Sequence, residues 1–282
     1  MINSLADAPD ADVAIAAARA GADVVRSLYG RRLSRIDKGG GDFATEADLA
    51  AEKAILEVLR AARPGDSVLG EEGGEQGSSG AGPGGSARRW LVDPLCGTLN
   101  YAAGTMVVAV NVALPGGAAA VADPFSGEVF ATDGERAAWS RVADGSDTPL
   151  APTASTTLVD VNLDPPFPSA PGFRAVDLLG DPAFIERFRP RVVSSTLALA
   201  WVAAGRRAAY VTDGGDLSEN LHFAAGIALC RAAGCTVTGI DGQPLGGDED
   251  EGESEDGGGR GRGLLAAADA ETHAQLLSLI RG

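Results

Sequence analysis

Trp90-Leu91-Val92-Asp93-Pro94-Leu95-Cys96-Gly97-Thr98-Leu99-Asn100-Tyr101 joins an apolar run to a polar turn and then to a helix start. Trp90 to Val92 reads as a buried strand. It delivers Asp93 at its C-terminal end, where a carboxylate of an α/β protein faces a site rather than the core. Pro94 stiffens the turn, and Gly97 lets the backbone approach a ligand closely. A helix beginning at Gly97 or Thr98 presents free N–H groups suited to a phosphate. An acid, a glycine and a hydroxyl within one short turn are what a metal-plus-phosphate site needs. The same residues also read as a plain turn with Asp or Thr as N-cap.

Upstream, Val13, Ala16, Ala17, Ala20, Val24 and Leu28 form a helical stripe between Asp12 and Tyr29. A second helix spans Thr45 to Arg63, with Thr45 as N-cap and Glu46 and Asp48 in its first turn, until Pro64-Gly65 stops it. Ser67 to Leu69 reads as a strand entering Gly70-Glu71-Glu72, and the Gly/Ser-rich run from Gly73 to Ala87 as a mobile loop. Downstream, Met106–Leu114, Ala118–Asp123, Val129–Ala131 and Ala137–Ser140 suggest a meandering antiparallel sheet.

Beyond Pro152 strands and helices alternate. Strands are read at Leu158–Leu163, Arg191–Val193, Ala208–Val211 and Thr236–Thr238, with helices at Pro182–Phe188, Ser195–Ala204 and Leu221–Ala233. This predicts an α+β lobe over 1–152 and an α/β lobe over 153–282. The acidic, low-complexity run 246–262 reads as a disordered, solvated insertion, and Asp269–Ile280 as a closing helix.

Of 282 residues, 45% are hydrophobic, enough for a proper core, and the net charge is −16, which opposes binding to nucleic-acid phosphates. No run approaches the ~20 apolar residues of a membrane helix. The first residues show no basic segment followed by an apolar one, so the expected setting is the cytoplasm. Cys96, Cys230 and Cys235 are too few for a disulfide framework. Arginine outweighs lysine and Ala and Gly abound, as in a GC-rich bacterial genome. With His222 and His273 the only histidines, any metal is held mainly by carboxylates, which suits hard cations.

Four polar patches are candidate sites: Lys38 with Asp42–Asp48, Glu71-Glu72, Asp93–Asn100 and Asp213–His222. Each has a plainer reading. Glu71-Glu72 fits a solvated turn, Asp48 a first-turn acid, His222 a helix-opening polar residue and Ser194-Ser195 an N-cap. Cys230 and Cys235 read as packed small hydrophobes, and His273 as a solvated residue of an exposed helix. No P-loop, dinucleotide fingerprint or nucleophile elbow is present.

Taken in order, Lys38, Asp42-Phe43-Ala44-Thr45-Glu46-Ala47-Asp48, Gly70-Glu71-Glu72 and Trp90–Tyr101 resemble the inositol monophosphatase family. Leu221–Gly226, Ala232-Ala233-Gly234, Asp241–Leu245 and Gly263–Ala267 extend the resemblance over almost the whole chain. It implies an α-β-α-β-α layered sandwich, Mg2+-dependent hydrolysis of small phosphomonoesters and a homodimer. Glu71, Asp93, the Leu95 carbonyl and Thr98 would hold the first ion, and Glu71 and Thr98 would help activate water. The Gly97 and Thr98 amides would cradle phosphate, Asp48 would support a weaker third ion, and Lys38 would stand at the phosphate or metal entry. Ser194-Ser195 replaces the family's Gly-Ser or Gly-Thr, and Asp213, Asp216 or Glu219 would meet sugar hydroxyls.

Two positions depart from the family. Cys96 and His222 stand where its members have aspartates, and those acids complete the second magnesium site with the residue at Asp93. Losing them removes charge from a hard-cation site. Four readings follow: a weakened phosphatase with fewer ions; a site retuned for a softer ion such as Zn2+ or Mn2+; a metal-free enzyme with Cys96 as nucleophile and His222 as base; or an inactive binding protein. The third is favoured by a helix N-terminus, which lowers the Cys96 pKa, and opposed by the nearby carboxylates Asp93 and Glu71.

Overall fold

A computed structural model describes residues 5–39, 42–77, 88–135, 137–163, 173–214, 217, 220–245 and 263–282. The expectations for the acidic run 246–262, for Asp216 and Glu219, and for residues 78–87 of the Gly/Ser-rich run lie outside them.

Helix α1 (Asp10–Leu28) buries Val13, Ala14, Ala17, Ala18, Gly21 and Val25 along one face. A polar hairpin, β1 (Arg35–Gly39) and β2 (Asp42–Thr45), leads into α2 (Glu46–Ala62), which turns Ala47, Ala51, Ile55 and Leu59 toward α1. Three- and four-residue spacing makes these faces continuous. The small residues set how closely the helices approach: a Cβ on Gly21 would lie 2.8 Å from Ile55 Cδ1.

The helix pair covers one face of an eight-stranded sheet. Its strands are β3 (Ser67–Gly70), β4 (Gly74–Gln76), β5 (Arg89–Cys96), β6 (Ala109–Ala113), β7 (Ala119–Ala122), β8 (Val129–Thr132), β9 (Ala138–Arg141) and β10 (Asp147–Pro149). They lie in the order β10-β9-β8-β7-β6-β5-β3-β4. The antiparallel meander from β5 onward is the one the sequence predicts, while β3 runs parallel to β5. Side chains alternate across the sheet. Trp90, Val92, Val110, Val112, Ala120 and Ala122 meet α1 and α2. Leu91, Ala109, Ala113, Val121 and Phe130 meet the opposite layer, α5 (Leu197–Ala203) and α6 (Ala224–Ala233).

That middle layer also covers a second sheet of β11 (Leu158–Asn162), β12 (Arg189–Val192), β13 (Ala209–Thr212), β14 (Thr236–Thr238) and β15 (Leu264–Ala267), ordered β12-β11-β13-β15-β14. Its far face packs on a 3-10 turn (Ala175–Gly180), α4 (Pro182–Arg187) and α7 (Ala270–Arg281). The result is the five-layered α-β-α-β-α sandwich.

Several elements differ from the sequence reading. The β1–β2 hairpin carries no apolar alternation because β1 is exposed throughout. Strand β4 forms inside the run read as a loop, pairing with β3. Strand β5 continues through Asp93 to Cys96. Helix α6 begins at Ala224 rather than Leu221, because the Asn220 carboxamide oxygen accepts the His222 N–H at 2.9 Å and holds a turn there. His273 is buried, its Nε2 2.8 Å from Thr238 Oγ1, rather than solvated.

The N-terminal segment is pinned through Arg63. Its guanidinium donates to Asp10 at 2.8 Å and to the carbonyls of Leu5, Ala6 and Ala8, and Arg88 joins Asp10 to Asp66. Burial pushes the Asp10 carboxyl up, but the guanidinium groups of Arg88 and Arg63 outweigh it and hold its pKa below the ordinary 3.8. A lowered acid contributes stability that is present above its unfolded pKa and lost as pH falls. Arg63→Ala is therefore expected to lower the melting temperature by a few degrees at pH 7, with the difference from wild type shrinking near pH 3, as thermal melts at both pH values will show.

Candidate metal and phosphate site

Asp93 lies within β5, directly opposite Asn111 of β6, where the register shifts before Cys96. Its side chain is wholly buried. Oδ1 accepts the Leu95 N–H at 3.1 Å. Oδ2 lies 2.8 Å from His222 Nδ1 and 3.3 Å from Asn111 Nδ2.

Glu71 follows β3, and its N–H donates to the Val92 carbonyl at 3.2 Å. The turn is held from beneath by Glu52, a buried acid of α2 that the sequence reading passed over. Glu52 accepts the Glu72 and Gly73 N–H groups, each at 2.8 Å. A Cβ on Gly70 would lie 2.5 Å from Glu52 Oε2. Gly70→Ala is thus expected to displace Glu52, free the Glu71 turn and weaken divalent-cation binding by about tenfold, the scale typical of supporting contacts around a metal ligand. Calorimetric titration of the metal-free variant checks this. Lys38 reaches from β1 to Glu71 at 2.9 Å and Glu72 at 2.7 Å.

Ligand atoms of Glu71, Asp93 and His222 lie within 4.8 Å of one another. Crowding shows in their proton affinities. Burial and the Asp93 charge push Glu71 up to about 8, against the pull of His222 and Lys38. Burial pushes His222 down, but the charge and hydrogen bond of Asp93 raise it to about 9. Two carboxylates held together out of water suit a divalent cation, which would relieve their repulsion.

Asp48 is placed differently. Its Oδ2 accepts the Thr45 N–H at 2.8 Å and the Thr45 hydroxyl, completing a capping box for α2, and its Oδ1 accepts the Thr98 hydroxyl at 2.9 Å. It stands outside the Glu71–Asp93–His222 group, as does Asp213, buried beyond the end of β13. The Leu95 carbonyl lies 3.1 Å from Thr98 Oγ1. Thr98 opens α3 (Thr98–Ala102), and Gly97 before it has φ +102. A Cβ there would press within 3.1 Å of the Val107 carbonyl and 3.2 Å of the Ser194 carbonyl. The Asn100 amide donates to those same carbonyls, 2.9 Å each, tying the turn to the segment before α5.

Cys96 faces that segment too. The Thr196 N–H donates to its sulfur at 3.3 Å, and the Ser195 hydroxyl to its carbonyl at 3.5 Å. Ser195 Oγ also accepts the Leu197 N–H at 3.3 Å. Any lowering of the thiol pKa by the helix N-terminus is outweighed: burial and the negative charge of Asp93 push it well up, beyond what the Thr196 bond restores. Iodoacetamide is accordingly expected to label Cys96 no faster than Cys230 or Cys235, measured by peptide mass spectrometry over a time course.

The Inositol monophosphatase family profile matches residues 7–281, and the chain belongs to that family. It is 34% identical to inositol-1-monophosphatase ImpA of Mycolicibacterium smegmatis over 233 residues, 75% of each chain. It is 32% identical to Nus factor SuhB of Pseudomonas aeruginosa over 252 residues, 83% of this chain and 87% of the relative. Among solved structures, the extragenic suppressor protein SuhB of Bartonella henselae superposes with a TM-score of 0.76 and 25% identity, covering 96% and 97% of the two chains. These likenesses support a phosphatase of the inositol monophosphatase type. No helix among the described residues is long and apolar enough to cross a membrane.

Proposed function

We propose that this chain is a phosphomonoesterase acting on a small sugar or polyol phosphate, with fewer divalent cations than its family carries. The observation that carries the reading is the convergence of Glu71, Asp93 and His222 within 4.8 Å. Glu71, Asp93 and the Leu95 carbonyl would hold the ion, with Thr98 beside them. Magnesium suits the oxygen donors, and the imidazole of His222 also admits Mn2+ or Zn2+. Bound there, a divalent cation supplies charge for phosphoryl oxygens and makes water more acidic.

The chain's own groups do the rest. Asp48 orients the Thr98 hydroxyl, and the Glu71 carboxylate would accept a proton from the attacking water. The first N–H groups of the Gly97-Thr98 turn face the phosphate, because they have no acceptor within α3. Lys38 stands at the rim, and Ser194, Ser195 and Asp213 border the substrate end. The family's third-ion role for Asp48 fits less well, since both its oxygens already accept hydrogen bonds. A cytoplasmic homodimer is the proposed setting, with exposed Leu99 and Met106 offering apolar surface near the turn.

Covalent chemistry through Cys96 and His222 is disfavoured by geometry, since the sulfur faces Thr196 and His222 Nδ1 faces Asp93. Phosphate release from a panel of sugar, polyol and nucleotide monophosphates, with Mg2+ and Mn2+ titrated separately, tests the proposal. Metal-dependent release from sugar or polyol esters supports it. Folded protein that releases nothing with either ion overturns it, in favour of a binding role.

A further inference from the structure

We infer that Asn111 is a positioning residue for Asp93, fixing which carboxylate oxygen faces a bound cation; this rests on Asp93 being a metal ligand. Asn111 is a fully buried polar residue in a strand otherwise made of Val and Ala. Its amide has two hydrogens and two acceptors in reach: Asp93 Oδ2 at 3.3 Å and Thr196 Oγ1 at 2.9 Å. The orientation is forced, because only the –NH2 edge of an amide can face a carboxylate. Its Oδ1 has no hydrogen-bond partner among the described residues. A buried amide with an orphan acceptor is costly, so the fold keeps Asn111 for its donor edge.

A lone-pair count gives the consequence. Each carboxylate oxygen has about two acceptor positions. Oδ2 of Asp93 meets two donors, His222 Nδ1–H and Asn111 Nδ2–H, and is saturated. Oδ1 accepts only the Leu95 N–H and keeps one position open. Asn111 and His222 thus occupy one oxygen of Asp93 and leave the other with a position free for a cation. Thr196 closes the arrangement, because its hydroxyl accepts from Asn111 while its N–H donates to Cys96. Asn111 acts through Asp93 and makes no contact with substrate in this scheme.

The test is Mn2+ affinity, read from the electron paramagnetic resonance signal of free Mn2+ over metal-free protein. Asn111→Ala is expected to bind Mn2+ about tenfold more weakly than wild type, the scale seen when a partner of a metal ligand is removed. Thr196→Val, which keeps the backbone N–H and the side-chain volume, should give a smaller loss in the same direction. Melting curves without metal identify a variant that fails to fold; if Asn111→Ala does so, Thr196→Val decides. Wild-type binding with both folded variants within twofold of it overturns the role of Asn111 and leaves the metal reading intact. Wild type that binds no Mn2+ overturns both.

Discussion

Asp93→Asn is expected to abolish saturable divalent-cation binding and to lower metal-dependent phosphate release by roughly 100-fold or more. The substitution is nearly isosteric in a fully buried position, so the strand and bulge around it should persist. What changes is charge and donor balance. The carboxylate offers a candidate ligand atom beside those of Glu71 and His222, and it accepts from three protein donors: the Leu95 N–H, His222 and Asn111. A carboxamide has one acceptor oxygen and presents its own N–H groups on the other edge, so at least one of those donors then meets a donor. His222 loses the charge that raises its pKa, and Glu71 is left as the sole carboxylate of the group. A metal-stabilised transition state is worth several kcal/mol, and each 1.36 kcal/mol is tenfold in rate, which sets the expected scale. Phosphate release across a Mg2+ and Mn2+ series, beside calorimetric titration of metal-free protein, measures both effects. Unchanged turnover would remove Asp93 from the chemistry.

Much of the candidate site is legible in the sequence because apolar runs and glycine turns leave local marks. Asp93 follows an apolar run, Gly97 needs a positive φ, and Thr45 with Asp48 forms the expected cap. The layered order was readable for the same reason: α1 and α2 carry clean helical stripes, and β6 to β8 are short apolar runs between turns. What escaped were groups whose role depends on contacts across the fold. Glu52 looks like one more acid of an exposed helix, yet it holds the Glu71 turn; its faint signal is Gly70, which has no room for a side chain. Asn111 carried a clearer mark, a lone amide in Val-Asn-Val, but its partners come from β5 and from the segment before α5. The β1–β2 hairpin has no periodicity to find because one strand is solvated throughout. His273 shares a face with Leu276, which marks burial rather than exposure. At Cys96 two opposed effects are legible, a helix N-terminus and the nearby Asp93, and the burial that decides between them is not.

Cys96→Asp combined with His222→Asp is expected to create a second Mg2+ equivalent and to tighten Mg2+ binding by at least about tenfold. With His222 protonated, its replacement changes local charge by −2 and that of Cys96 by −1, −3 in all. Oxygen donors replace sulfur and nitrogen, which suits a hard cation. An aspartate at 96 can still accept the Thr196 N–H that now meets sulfur, so one of its oxygens is already oriented. The aspartate at 222 would no longer donate to Asp93 Oδ2, which frees that oxygen for the new ion. Without metal the same change is destabilising, because four carboxylates then crowd one desolvated pocket, including Glu71, already pushed up to about 8 by burial and Asp93. The double variant should therefore melt several degrees below wild type in chelator and regain that loss, or exceed it, in millimolar Mg2+, the behaviour required when a ligand binds only the folded state. Either single variant should show part of the metal-free loss without the second equivalent. Calorimetric stoichiometry together with melts in chelator and in Mg2+ separates the outcomes. A second equivalent would mean that the cleft keeps its shape and only its charge was altered at these two positions. A loss of stability with no second equivalent would mean that the Asn111–Thr196 network keeps Asp93 Oδ2 occupied even when the carboxylates return.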